Sequence, residues 1–231
     1  MATCFAIAQN EQEGNVTRID KAFAAIAAAL FLLVSTGTAH AQPAPPKGPD
    51  FVRLAAPQPV ASGEKIEVIE FFYYGCPVCY ELEPALSRWS VKAPADVALR
   101  RVPALASASW ENFARLFYSL EAMDELGRLH WPVYDNFHFE DISLNEEPVM
   151  FEWIARNGVE MEKFVEMYNS VAIRAKVAAA RDLVRSYGVK GVPSFVVDGK
   201  FLTSANMAGG TGALMPVVDR LIDLARKERA R

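Results

Sequence analysis

The pattern of apolar and polar positions divides the chain into short apolar runs and longer amphipathic stretches. Residues 66–73 form one such run, rich in β-branched and aromatic side chains, which predicts a buried strand. A helical pattern follows to about Val91, and residues 96–102 predict a second strand. The chain is therefore expected to begin its fold with a strand–helix–strand unit.

A long helical block separates this unit from a second strand region. Residues 109–187 carry apolar side chains at spacings of three and four, which is typical of amphipathic helices. Two short apolar runs then flank Asp198 and Gly199, a dipeptide that favours a two-residue hairpin turn. Thr211 is expected to cap a last helix. Because a strand–helix–strand unit needs only about 30 residues, the block indicates a helical insertion.

Residues 1–41 have the pattern of a cleaved signal peptide. Positive charge precedes an apolar run at residues 22–34, and residues 39–41 read Ala-His-Ala, a form that signal peptidase cuts. The run is shorter than the roughly 20 residues that span a bilayer as a helix. An uncleaved tethering helix is the alternative. We expect an exported protein whose mature chain begins near Gln42.

The next segment, residues 42–61, is predicted to be a Pro-rich N-terminal arm. It begins Gln-Pro-Ala-Pro-Pro-Lys-Gly-Pro-Asp, and such a composition buries too little apolar surface to order itself. We therefore expect this arm to be mobile and the folded domain to start near residue 62.

Composition and charge narrow the classes of function. The 231 residues are 52% hydrophobic, which suffices for a core, and the net charge is −4. Because basic residues are not clustered, no nucleic-acid partner is expected. Three cysteines are an awkward number for an exported protein. Cys4, however, lies in the signal segment, which leaves the pair Cys76 and Cys79.

The Cys-x-x-Cys motif of Cys76 and Cys79 has three interpretations. A zinc site requires four ligands, and the exported chain adds only His130 and His138, which are spaced more widely than a usual zinc-binding pair. We expect no metal. A structural disulfide is permitted in an exported protein, although so short a loop constrains the unfolded chain little. We favour the third interpretation, a redox-active pair.

The placement of the pair supports redox chemistry. Cys76 falls at the predicted N-cap of a helix, and Pro77 suits the first helical position because its missing N–H would be unpaired there. The free N–H groups of Val78 and Cys79, with the helix dipole, can stabilise a thiolate on Cys76. A stabilised thiolate is a good leaving group, so the disulfide is expected to be oxidising. Cys79 is expected to be buried and protonated.

Glu70 is the second candidate catalytic residue. Alternation along the predicted strand places it on the same face as Ile66, Val68 and Phe72, and so beneath the cysteines. A buried carboxyl group has a raised pKa and could take and return the proton of Cys79. The alternative is that the face is misjudged and Glu70 is solvated.

These residues resemble a known family. Residues 70–79 read Glu-Phe-Phe-Tyr-Tyr-Gly-Cys-Pro-Val-Cys, and Val192 and Pro193 follow far downstream, just before the hairpin. This arrangement is similar to the DsbA family of periplasmic thiol:disulfide oxidoreductases, which are α/β proteins with a thioredoxin fold and an inserted all-helical domain. The resemblance implies a thioredoxin-like domain over residues 62–105 and 177–231, interrupted by a helical domain over residues 106–176.

The resemblance also implies site residues and partners. The Val192–Pro193 bond is expected to be cis and to pack over the disulfide, with the Val192 backbone pairing with an extended substrate peptide. Glu70 corresponds to the family's buried acid. The family implies a periplasmic monomer with no cofactor beyond its redox disulfide. Its expected partners are unfolded exported proteins with free thiols, and a DsbB-type membrane quinone reductase that reoxidises the enzyme.

The chain departs from the family pattern at two points. Enterobacterial members carry Pro-His between the cysteines, whereas this chain has Pro77 and Val78. A histidine there would help to stabilise the thiolate, so we expect this protein to be less oxidising. Some members pair the buried acid with a lysine on the next strand, where this chain has Arg100 and Arg101. The sequence leaves open which of the two points inward.

Three functions remain to be weighed. The first is a dithiol oxidase that donates the Cys76–Cys79 disulfide through a mixed disulfide. The second is an isomerase or reductant on the same fold, which the reduction potential would distinguish. The third is a non-catalytic peptide-binding chaperone, which would survive the loss of both cysteines.

Overall fold

The computed structural model describes residues 48–231. The predicted signal segment, Cys4 and the first part of the predicted arm lie outside the described residues. Within the described part of the chain, no helix combines the length and apolar character that crossing a membrane requires.

A five-stranded mixed sheet forms the centre of the fold. Its strands are β1 (Val52–Arg53), β2 (Ile66–Phe72), β3 (Val97–Pro103), β4 (Ser194–Val197) and β5 (Phe201–Ser204). They lie in the order β1-β5-β4-β2-β3. The β2–β3 pair is parallel and the other pairs are antiparallel. The two strands predicted first, β2 and β3, are confirmed to within about one residue at each end.

The helices flank the sheet and fill the gap between β3 and β4. They are α1 (Pro77–Lys92), α2 (Glu111–Ala122), α3 (Leu126–His138), α4 (Glu147–Arg156), α5 (Met161–Tyr168), α6 (Val171–Ser186), α7 (Ala205–Ala208) and α8 (Thr211–Arg229). Helix α1 makes the crossover between the parallel strands β2 and β3. Helices α2 to α6 follow one another without an intervening strand, so the predicted helical insertion is confirmed.

Both faces of β2 are buried, as expected for a central strand in an α/β sheet. Ile66 and Val68 belong to one apolar cluster, which they share with α1 and α8. Ile69 and Phe71 belong to a second cluster, which they share with the inserted helices and α6. Strand β2 therefore carries the following turn and α1 into a position between the two cores.

The prediction that residues 42–61 form a mobile arm is wrong for the part that packs on the sheet, from Phe51 onward. Val52 and Arg53 pair with β5 as an antiparallel edge strand, and the N–H of Gln58 donates to the Gly199 oxygen at 2.9 Å. The contact is close, because a Cβ on Gly199 would lie 2.1 Å from the Gln58 oxygen. Phe51 also packs on the ring of Phe201, with centroids 5.9 Å apart. The apolar residues between the prolines thus allow this segment to pack against β5 of the sheet.

The C-terminal predictions have mixed outcomes. Asp198 and Gly199 have φ values of 55° and 62°, so the hairpin turn is confirmed. The prediction that Thr211 caps the last helix is wrong, because Gly210 is the N-cap of α8 and Thr211 is its first helical residue. The Thr211 hydroxyl instead donates to Glu81 at 2.7 Å, which ties α8 to α1.

Candidate redox site

The cysteine pair lies where β2 gives way to α1. Helix α1 begins at Pro77, and Cys76 is its N-cap residue, with extended backbone angles and no side-chain cap hydrogen bond. The N-cap side chain therefore does not cap the first N–H groups of the helix, and the Cys76 sulfur lies at the end of the chain segment that leads into them. Both cysteines are free thiols; Cys76 is half-buried, and Cys79 is only 1% exposed.

The two thiols have opposite proton affinities. A hydrogen bond from the Cys79 thiol lowers the pKa of Cys76 to about 6; burial opposes this, and the backbone N–H groups of Cys79 and Val78 add to it. Burial, together with the hydrogen bond and charge of Cys76, raises the pKa of Cys79 far above that of a free thiol. At neutral pH the reduced pair therefore carries a thiolate on Cys76 and a proton on Cys79.

The loop that precedes β4 covers the pair. The Val192–Pro193 peptide bond is cis, and the Cys76 sulfur lies 3.7 Å from the Val192 carbonyl oxygen. A cavity of about 380 Å³ adjoins this loop and is lined in part by Val192, Pro193, Leu202 and Met207. Val192 therefore borders both the reactive sulfur and the cavity.

Glu70 is buried, as the alternation along the strand predicts, with 1% of its surface exposed. Burial raises its pKa to about 8; the charge of Arg101 opposes the shift, and the charge of Glu83 adds to it. The Nε atom of Arg101 lies 3.2 Å from Glu70 Oε2. A carboxyl group with this pKa is largely protonated at neutral pH. It can therefore act as a proton donor inside the protein.

The strand register decides between the two arginines that the sequence left open. Arg101 pairs with Glu70 across the parallel β2–β3 ladder, and Arg100 pairs with Ile69. The side chain of Arg101 therefore shares the face of Glu70. Arg100 lies instead 3.5 Å from Glu67.

Sequence reasoning missed Glu83, the second carboxyl group of this cluster. Glu83 is 2% exposed and accepts hydrogen bonds from Arg101 at 2.8 Å and from Ser87 at 2.6 Å. Burial raises its pKa, but the contacts with His130, Arg101 and Ser87 outweigh burial and hold the pKa below its usual range. Glu83 follows Cys79 by one helical turn, and this spacing could have identified it.

The two buried carboxyl groups share one guanidinium group unequally. Arg101 donates a hydrogen bond of good geometry to Glu83, whereas its contact with Glu70 at Nε lacks hydrogen-bond geometry. An ionised Glu83 therefore balances the charge of Arg101, and Glu70 keeps its proton. This arrangement avoids the cost of an unpaired buried charge.

Comparison with known proteins identifies the family. Residues 90–212 match the family model of the DSBA-like thioredoxin domain. Over 183 residues the chain is 40% identical to the thiol:disulfide interchange protein DsbA of Pseudomonas aeruginosa. The aligned residues cover 79% of this chain and 85% of that relative. The chain belongs to the DsbA family. The DsbA of Azotobacter vinelandii is 37% identical over 179 residues, or 78% of this chain and 84% of that relative.

Solved DsbA structures have the same fold. The crystal structure of P. aeruginosa DsbA matches with a TM-score of 0.76 at 38% identity, over 80% of this chain and 96% of that one. The oxidoreductase NmDsbA1 from Neisseria meningitidis matches with a TM-score of 0.67 at 26% identity, over 80% of this chain and 95% of that one. The predicted thioredoxin fold with a helical insertion is therefore confirmed, and the protein is a thiol:disulfide oxidoreductase of the DsbA family.

The raised pKa of Glu70 predicts a pH dependence of stability in the reduced protein. A carboxyl group whose pKa rises from 4.5 to about 8 on folding stabilises the folded state below about pH 4.5, and this contribution is lost as the pH rises through about 8. The free energy of unfolding of the wild type minus that of Glu70→Gln should be smaller at about pH 8 than at about pH 5. The decrease should be at least ~1.4 kcal/mol, the equivalent of one pKa unit. Urea unfolding at both pH values measures this, and a pH-independent difference would contradict it.

Proposed function

We propose that this protein is a dithiol oxidase that donates a Cys76–Cys79 disulfide to exported proteins. The observation that carries the proposal is the asymmetry of the pair, with a pKa of about 6 at Cys76 beside a buried, protonated Cys79. A disulfide is readily reduced when the thiolate it releases is stable. The protein is therefore suited to accept electrons from substrate thiols.

The reaction proceeds through two thiol–disulfide exchanges. A substrate thiolate attacks the sulfur of Cys76, the Cys76–Cys79 bond breaks, and Cys79 leaves as a thiolate that takes a proton from Glu70. A second substrate thiolate then attacks the substrate sulfur of the mixed disulfide and releases Cys76 as a thiolate. The substrate leaves with a disulfide, having supplied two electrons, and Glu70 regains its proton from solvent.

The substrate is an extended segment of an unfolded exported protein with free thiols. The Val192 carbonyl, next to the Cys76 sulfur, supports backbone pairing of that segment with the loop before β4. The adjoining cavity, whose lining includes the apolar side chains of Leu202 and Met207, offers a place for a substrate side chain. Pro193 shapes this loop, and Pro77 and Val78, predicted as an active-site loop, form the start of α1 and face the substrate.

The proposed setting is the periplasm, reached through a cleaved signal peptide at residues 1–41. Membership of the family of thiol:disulfide interchange proteins, together with the signal-peptide pattern in the sequence, supports this assignment. The protein is proposed to act as a monomer without a further cofactor. A DsbB-type membrane quinone reductase would return the cysteines to the disulfide.

Single cysteine substitutions test the proposed order of events. Cys76→Ser should abolish oxidation of a dithiol peptide, because it removes the attacked sulfur. Cys79→Ser should also fail to oxidise this peptide, because Cys76 then has no disulfide partner. Its Cys76 thiolate should instead form a lasting mixed disulfide with a peptide supplied as a disulfide, because Cys79 is absent to displace the peptide. Peptide oxidation followed by mass spectrometry measures both. Oxidation at the wild-type rate by either variant would refute the mechanism.

Val78 provides a test of how the reduction potential is set. This side chain is 38% exposed beside the reactive sulfur and cannot donate a hydrogen bond to it. Val78→His should raise the reduction potential by about 30 mV, which corresponds to a tenfold change in the equilibrium constant, by stabilising the Cys76 thiolate. Val91→His, at an 87% exposed position near the far end of α1, is the matched control and should leave the potential unchanged. Equal potentials for all three proteins would contradict this explanation.

A further inference from the structure

The turn between β2 and α1 fixes the position of the reactive cysteine. The N–H of Cys76 donates to the Tyr73 oxygen at 3.0 Å, so Tyr74 and Gly75 occupy the centre of the turn. A Cβ on Gly75 would lie 2.5 Å from the Tyr73 ring, which explains the glycine. That ring is itself held by stacking on Trp110, with centroids 3.9 Å apart.

Sterics alone leave the Tyr74–Gly75 peptide free to take two orientations. Gly75 does not have a positive φ in this structure, so the turn is not of type II. Glycine nevertheless tolerates positive φ without strain, and rotation of the central peptide would convert the turn to type II. A contact from outside the turn would favour one of these two orientations over the other.

His138 of α3 supplies that contact. Its Nε2 atom lies 2.7 Å from the Tyr74 carbonyl oxygen. Because a carbonyl oxygen only accepts hydrogen bonds, Nε2 must carry the proton and donate. The His138 ring also stacks on Tyr80, at a centroid distance of 4.9 Å and an angle of 18°. Tyr80 directly follows Cys79, so His138 contacts the chain on both sides of the cysteine pair.

His130 forms a hydrogen bond with the side-chain hydroxyl of the same residue, Tyr74. Its Nδ1 atom lies 2.7 Å from the hydroxyl of Tyr74, which is 1% exposed, and its Nε2 atom lies 3.5 Å from Glu83. The Nε2 contact lacks hydrogen-bond geometry, but Nε2 faces a carboxylate that only accepts, so the proton of a neutral His130 is favoured on Nε2 and Nδ1 accepts from Tyr74. Burial keeps His130 neutral by lowering its pKa.

Both histidines lie on one face of α3, because a separation of eight residues is close to two helical turns. One bonds the Tyr74 hydroxyl and the other bonds the Tyr74 backbone. We propose that His130 and His138 are positioning residues through which the inserted helical domain fixes the Tyr74–Gly75 peptide and holds the Cys76 sulfur at the N-terminus of α1. This proposal rests on the proposed function, in which Cys76 reacts and leaves as a thiolate.

The proposal makes the state of Cys76 depend on a helix outside the thioredoxin-like domain. Loss of the His138 donor would loosen the turn that ends at Cys76, so the Cys76 sulfur would be held less firmly against the N–H groups of Val78 and Cys79. The thiolate would then lose part of its stabilisation.

Three substitutions test the proposal in the reduced protein. His138→Leu removes the donor, His138→Gln offers an amide N–H to the same carbonyl, and Tyr74→Phe removes only the hydroxyl bonded to His130. The ultraviolet absorbance of the thiolate, followed against pH, reports the ionisation of Cys76. At a pH below the midpoint of the Cys76 titration, His138→Leu and Tyr74→Phe should show about threefold less thiolate than the wild type. This change is small compared with the total lowering of the cysteine pKa at sites that stabilise a thiolate.

His138→Gln should restore most of the thiolate. Wild-type titration of both His138→Leu and Tyr74→Phe, or equal losses in His138→Gln and His138→Leu, would overturn the proposal. If Cys76→Ser still oxidised a dithiol peptide, the proposed function would fail instead, so the two failures are distinguishable.

A measurement on the unsubstituted protein keeps the proposal testable if the His138 variants do not fold. Nitrogen-15 NMR of the imidazole rings identifies which nitrogen carries the proton. We expect both His130 and His138 to carry it on Nε2. A proton on Nδ1 of neutral His138 would leave Nε2 unable to donate to Tyr74, and the proposal would be wrong.

Discussion

A negative charge on Cys76 is stable because α1 begins there. The Cys79 thiol and the N–H groups of Cys79 and Val78 point to one sulfur, and together they outweigh the cost of its partial burial. The elements around the pair position this helix end: β2 carries the chain to it, and the loop that contains Val192 closes over it. The chemistry of the protein therefore depends on the geometry of one helix N-terminus.

We propose that the acid cluster beneath the pair supplies the proton that this charge separation requires. Reduction of the disulfide leaves a thiolate on Cys76, but Cys79 is too deeply buried to remain charged. Glu70 holds a proton at neutral pH because burial raises its pKa, and because Arg101 gives its well-formed hydrogen bond to Glu83 and not to Glu70. The charges of Arg101 and Glu83 cancel, so the transfer moves a single negative charge from Cys79 to Glu70, beside the Arg101 guanidinium group, until solvent returns a proton. Glu83 thus matters to the reaction through its effect on Glu70.

Local sequence patterns predicted the main features of the site. They did not predict the contacts between residues that are far apart in the chain. The strand–turn–helix pattern placed Cys76 at an N-cap, and strand alternation placed Glu70 in the interior. The choice of Arg101 over Arg100 required the β2–β3 register, which a single sequence does not reveal. The contacts of His138 depend on how α3 docks beside the active site, which apolar spacing does not specify. The two-residue strand β1 likewise forms only because β5 is beside it.

We propose that stabilisation of the Cys76 thiolate makes the cysteine pair an oxidant, and a redox titration of the protein against glutathione measures this property. A potential between that of thioredoxin, about −270 mV, and the value known for DsbA itself, about −120 mV, is the predicted result. The stabilised thiolate places the potential above that of thioredoxin, and Val78, at a position where some family members have a histidine, keeps it below that of DsbA. A potential at or below that of thioredoxin would contradict the claim and identify the protein as a reductant.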